Sequence, residues 1–254
     1  MSILAYLEVD GTKLRYQLAG SGAPIVLLHG WGGSIESMGV IFDDFARDHT
    51  VLAFDFPGHG ESSLPPTAWG VAEYATSVLH VMQALHVQRP HIIAHSHGGR
   101  VTIKLATVHP DSVGKLVLVD SAGVRPPRSW PYYGRVLLAK GGKYLATYCG
   151  RIGDIARERI YRAVASRDYA NAGPLRDTFV KLVSEDLTSI LPQITSPTLL
   201  VWGADDTDTP LSSAKVMERL IPQARLVVLQ NAGHFSYLDQ YGKFRLLVRQ
   251  FLRE

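Results

Sequence analysis

The sequence holds one cysteine, Cys149, in 254 residues. A disulfide framework within the chain and a cysteine-built metal site are therefore excluded. No apolar stretch approaches the ~20 residues that a helix needs to cross a bilayer. The opening residues, MSILAYLEVDGTK, lack a basic region followed by a long apolar run. They read as a strand rather than a signal peptide, and the expected location is the cytoplasm. The basic residues are scattered, with no dense run and no interleaved aromatics, and the formal charge is only +3. Nucleic acid is therefore not an expected partner. Charged residues make up 19% of the chain against 46% hydrophobic, which excludes disorder. A substantial core is expected, in one large domain or one domain with an insertion.

What is present is alternation. Apolar runs at 3–9, 13–18, 24–28, 51–54, 91–94, 115–119, 197–202 and 225–229 predict eight strands, the first two joined at the Asp10-Gly11 turn. Several are continuously apolar, as in strands covered on both faces. Helical spacing lies between them, over 34–47, in the stripe Val71, Tyr74, Val78 and Met82, in Val101, Leu105 and Val108, over 211–221, and from Leu238 to Phe251. The predicted class is α/β, with a mostly parallel, eight-stranded, doubly wound sheet. The pattern breaks at Val124. From there to about residue 191 no strand signal appears, and helix-like segments cover 133–140, 154–164 and 174–187. Residues 1–123 and 192–254 are expected to form the core, and 124–191 a helical cap inserted after the sixth strand.

The stretch PHIIAHSHGGRVTIKLATV, residues 90–108, carries the first chemical signal. A strand runs into a sharp turn with Ser96 at its tip, and a helix follows. This is the setting of the G-x-S-x-G pattern, with Ala94 in place of the first glycine. Such a turn lifts the serine oxygen clear of the backbone and aims helix N-terminal N–H groups at it, as a nucleophile requires. Taken alone, these residues also fit an ordinary strand-to-helix turn. The loop His29-Gly30-Trp31-Gly32-Gly33 follows a buried strand but lacks the Lys-Ser/Thr of a P-loop. It reads as a donor of the Trp31 N–H to an oxyanion, with a plain glycine turn as the alternative. Asp55, in the loop ending at Ser62, is expected to bind backbone N–H groups. A metal role for Asp55 and His59 lacks a third ligand. A serine, a cluster of aspartates (Asp205, Asp206, Asp208) and His234 each follow a parallel strand, so they converge on one rim of the sheet.

On these motifs the chain resembles, over nearly its whole length, a capped α/β-hydrolase of the serine-esterase (carboxylesterase-like) type. The order Ser, Asp, His is that of this family. The resemblance implies that Ser96 is the nucleophile, His234 the base and Asp206 the acid that orients it. Asp205 and Asp208 are alternatives, as is Asp120, at the end of the sixth strand, where some relatives carry the acid. The N–H groups of Trp31 and His97 would form the oxyanion hole. His29, Gly30, His95, Trp130 and Tyr133 are expected to touch substrate, and His97 to reach the pocket and tune its preference. Serine at the nucleophile position disfavours dehalogenase and epoxide-hydrolase chemistry, which uses aspartate there. His95 and His97 flank Ser96 but point apart, with no carboxylate or cysteine cluster beside them, so no metal is expected. No cofactor is expected either. The implied activity is hydrolysis of small to medium carboxylic esters through an acyl-enzyme. A lactonase, a carbon–carbon bond hydrolase, an acyltransferase and a non-catalytic ligand-binding protein are the alternatives. The expected partner is a small-molecule ester, and the expected assembly a monomer or homodimer.

Overall fold

A computed structural model describes residues 2–125 and 167–254 of the chain. The described residues contain eight strands: β1 (Ile3–Val9), β2 (Thr12–Ala19), β3 (Pro24–Leu28), β4 (Thr50–Phe54), β5 (His91–His95), β6 (Leu116–Val119), β7 (Thr198–Gly203) and β8 (Ala224–Leu229). They form one sheet in the order β1-β2-β4-β3-β5-β6-β7-β8. β1 pairs antiparallel with β2, and β2 with β4. Every pair from β4 to β8 is parallel. The β1–β2 hairpin turns on Asp10 and Gly11, both at positive φ (52° and 71°), the geometry that Asp-Gly supplies to a tight two-residue loop.

Successive side chains of a strand point to opposite faces, and here both faces are covered. Val26, Leu28, Ile92, Ala94, Leu116 and Leu118 enter one core. There they meet α2 (Val71–Ala84), α3 (His97–Val108) and α6 (Leu211–Leu220). Ile25, Leu27, Ile93, Val117 and Val119 enter the other, against α1 (Gly39–Phe45) and α8 (Tyr241–Arg253). This explains why the central strands read as continuous apolar runs.

Between β6 and β7 the described residues include two α-helices, α4 (Arg167–Asn171) and α5 (Arg176–Ser184). The expected helices at 133–140 and 154–164 lie outside the described residues. Three helices are shorter than their apolar spacing implied. The 34–47 stretch divides into a 3-10 turn, Ile35–Met38, and α1. Gly39 sits at that joint, where a residue that costs about 1 kcal/mol inside a helix does least harm. The 174–187 stretch begins as a 3-10 turn at Gly173–Leu175 and is α-helical only as α5. The last stretch divides into α7 (Ser236–Asp239) and α8 at Gln240, whose φ and ψ of −130° and 44° are not helical. Among the described residues no helix is long and apolar enough to cross a membrane.

Candidate active site

β5 ends at His95, and Ser96 turns the chain with φ 49° and ψ −109°. A non-glycine residue in such a conformation costs on the order of 1–3 kcal/mol and must be held by its surroundings. The Ser96 N–H donates to Val119 O at 3.0 Å, and the Ala122 N–H donates to Ser96 O at 3.0 Å, so the end of β6 holds the turn from both sides. The next turn of backbone must approach closely. A Cβ on Gly98 would lie 2.4 Å from Leu28 O, and one on Gly99 would lie 2.1 Å from Ser121 Oγ. Ala94, at the first glycine position of the pattern, is fully buried.

Three loops then meet. His234, beyond β8, places Nε2 3.0 Å from Ser96 Oγ. Its Nδ1 lies 3.0 Å from Asp206 Oδ2. A carboxylate only accepts, so the proton sits on Nδ1, and Nε2 presents a lone pair to the serine hydroxyl. Burial pushes the His234 pKa down, but the Asp206 hydrogen bond and charge outweigh it, and the net shift is upward from 6.5. Burial likewise pushes Asp206 up, while hydrogen bonds from His234 and Thr209 hold it below the ordinary carboxylate range.

Of the aspartates left open by the sequence, Asp206 alone bonds to His234 among the described residues. Its Oδ1 accepts the N–H groups of Asp208 and Thr209 at 2.8 and 3.0 Å. Its Oδ2 also accepts the Thr209 hydroxyl at 2.7 Å. Asp205 contributes its backbone N–H to Ala232 O, and the Asp208 side chain lines the cavity over the serine. Asp120 turns away from His234 and accepts the N–H groups of Gly203 and Ser236. Thr209 was not anticipated. An Asp followed three residues later by Thr is the pattern of a side-chain-closed turn, and this signal was available in the sequence.

The Trp31 and His97 N–H groups have no acceptor among the described residues. The peptide oxygen preceding Trp31, Gly30 O, accepts the Gly33 N–H at 3.0 Å and pairs with His29 Nδ1 at 2.7 Å. A trans peptide bond points its N–H opposite its C=O, so these contacts turn the Trp31 N–H outward from the loop. His29 is thus corrected from a substrate contact to a support of this loop. It is 1% exposed, its Nε2 accepts the Phe56 N–H at 3.0 Å, and it does not line the cavity. Burial takes its pKa down to about 3, which keeps the ring neutral.

The described residues enclose a cavity of about 510 Å³ above Ser96 and His234. Gly30, Trp31, His95 and His97 line it together with Phe179, Leu182 and Val183 of α5. His97 opens α3. Its ring is buried, packed near-perpendicular on Tyr74 at 5.1 Å and against Phe56 at 5.2 Å. His95 reaches under His234 and pairs Nε2 with its carbonyl oxygen at 2.7 Å. Trp130 and Tyr133 lie outside the described residues. Arg100, also unanticipated, is buried in α3 and donates to the carbonyls of Leu182 and Glu185 at the C-terminal end of α5. Desolvation lowers its pKa to about 10. Asp55 accepts the Ile35 and Glu61 N–H groups at 2.7 and 2.9 Å. Among the described residues no three His, Cys, Asp or Glu side chains are grouped to hold a metal ion.

Comparison with known proteins agrees with this architecture. A family model described as the alpha/beta hydrolase family matches residues 25–245. The dihydrolipoyllysine-residue acetyltransferase component of the acetoin cleaving system of Pseudomonas putida is 30% identical over 97% of this chain and 68% of its own length. The 2-hydroxymuconate semialdehyde hydrolase of Pseudomonas putida is 28% identical over 96% of this chain and 92% of its own. A solved hydrolase from Pseudomonas aeruginosa is 27% identical, with a TM-score of 0.75, covering 98% of each chain. Sheet order, nucleophile-type turn and family match agree, and the chain belongs to the alpha/beta hydrolase family.

Proposed function

We propose that the protein is a serine hydrolase that cleaves small to medium carboxylic esters through an acyl-enzyme. The observation that carries this reading is the unbroken hydrogen-bonded chain Ser96 Oγ, His234, Asp206, at 3.0 Å on each link. Ser96 attacks the ester carbonyl while His234 Nε2 takes the hydroxyl proton. The imidazolium is stabilised by Asp206, and the oxyanion by the N–H groups of Trp31 and His97. Collapse expels the alcohol, which takes the proton from His234. Water, deprotonated by His234, then attacks the acyl carbonyl and releases the acid and Ser96. Residues 124–191 act in this reading as a cap over the core formed by 1–123 and 192–254, and bound the acyl pocket through α5.

The test is hydrolysis of a chain-length series of p-nitrophenyl esters by the parent and by Ser96→Ala. Turnover by the parent is expected to fall in Ser96→Ala by on the order of 10⁶, the scale set by loss of a serine nucleophile in another hydrolase. Absence of turnover on every ester by folded parent would sink the esterase reading. A carbon–carbon bond hydrolase is the second reading. It draws on the 28% identical semialdehyde hydrolase and on Arg100 and Arg125, which bring positive charge to the cavity wall. Turnover of 2-hydroxymuconate semialdehyde well above that of any ester would favour it.

A further inference from the structure

The end of β6 carries a buried carboxylate that the reaction scheme above does not use. We propose that Asp120 is a positioning residue for the base, fixing the backbone that carries His234; this rests on the reading of Ser96 and His234 as the reacting pair. Asp120 is fully buried, and its φ of 44° is one that an L residue seldom adopts. Its Oδ1 accepts the Gly203 N–H at 2.8 Å, and its Oδ2 accepts the Ser236 N–H at 3.0 Å. Gly203 is the last residue of β7, and Ser236 lies two residues after His234. One carboxylate therefore staples the His234 loop to the neighbouring strand end.

The same loop is held from its other side. His95 Nε2–H donates to His234 O at 2.7 Å. The two peptide units after His234 are thus both fixed, the first through its carbonyl and the second through its N–H. The imidazole keeps only its side-chain torsions, and these bring it to 3.0 Å from both Ser96 Oγ and Asp206 Oδ2. The main chain of Asp120 also runs beside the loop of the acid. Its carbonyl lies 2.9 Å from Thr209 Oγ1, the same hydroxyl that reaches Asp206 Oδ2. The Asp120 carboxylate ties the His234 loop to the end of β7. The residue type is specified by the donors. Two N–H groups converge, and a carboxyl group offers an oxygen to each; asparagine would set an NH₂ against one of them.

The test compares the full-length parent with Asp120→Asn and Asp120→Ala. It measures the rate of Ser96 phosphonylation by a fluorophosphonate, kcat and KM on the parent's best p-nitrophenyl ester, and the thermal midpoint. A misplacement of 1 Å costs up to about 10²-fold, so phosphonylation and kcat should fall about 10- to 100-fold in Asp120→Asn. The fall should be larger in Asp120→Ala, with KM within about twofold. Both rates are read well below each thermal midpoint, where a merely structural role would leave them unchanged. Parent-like phosphonylation of folded Asp120→Asn overturns the proposal, as does a loss confined to KM or the failure of both variants to fold. Folded parent that resists the fluorophosphonate overturns the serine-hydrolase reading and the proposal with it, an outcome distinct from parent-like reaction of the variant.

Discussion

The turn after β6 and the loop after β7 each set a buried aspartate on the same rim of the sheet, yet the two carboxylates differ in kind. Asp206 receives a histidine N–H, a threonine hydroxyl and two backbone N–H groups. Those bonds outweigh its burial and hold it below the ordinary carboxylate range. Asp120 receives the backbone N–H groups of Gly203 and Ser236, and burial pushes it up to about 7. Position at a strand end does not decide which aspartate bonds to His234. The donors that reach each one do, and an imidazole that can become a cation stabilises an ionised partner more than neutral peptides can.

The sharpest way to break this comparison is Asp206→Asn. It should lower kcat by about 10⁴, because an amide favours the wrong imidazole tautomer. If Asp120 were the partner of His234, the loss would be small. The same variant removes the interaction that lifts His234. The base must be neutral to accept the serine proton, so the parent's kcat/KM should fall on the acid side with a midpoint above 6.5. In Asp206→Asn that midpoint should move down, as read from the pH profile of residual activity. Thr209→Val is a smaller step. It deletes one hydrogen bond to Asp206 Oδ2 and should lower kcat about tenfold, the scale of one bond to a charged group.

The smallest effect lies in stability. Between 3.8 and about 7 the unfolded Asp120 is ionised while the folded one keeps its proton. The native state binds more protons there, so stability falls as pH rises through that window. Asp120→Asn should flatten that part of the slope, measured as denaturation midpoint against pH. A slope unchanged by the variant would mean that Asp120 is ionised throughout and that its two N–H bonds outweigh its burial.

Much of the site was legible because it is local. The apolar run into His95-Ser96-His97-Gly98-Gly99 announces the turn, since close backbone approach admits no Cβ at Gly98 or Gly99. His234 was legible from its place after the last strand. Asp206 was singled out by the family resemblance rather than by spacing, because Asp205, Asp206 and Asp208 all lie on one short loop. Only the turn closed by Thr209 directs one of them to the imidazole. His29 misled for a related reason. A histidine beside a glycine-rich loop reads as a pocket residue, but both its ring nitrogens are engaged by backbone groups, one of them 27 positions away in the chain.

Alternating apolar runs and helical stripes determine the doubly covered sheet, because burying both faces of a strand requires apolar residues at every position along it. The Ser, Asp, His order places the reactive groups on one rim for the same reason, since parallel strands end together. Tertiary structure alone decided that a second carboxylate, Asp120, bonds to the loop that carries His234. It also decided that Arg100 grips the end of α5 rather than facing solvent. Those outcomes rest on hydrogen bonds between residues far apart in sequence, whose directions are set only when the strand ends are packed side by side.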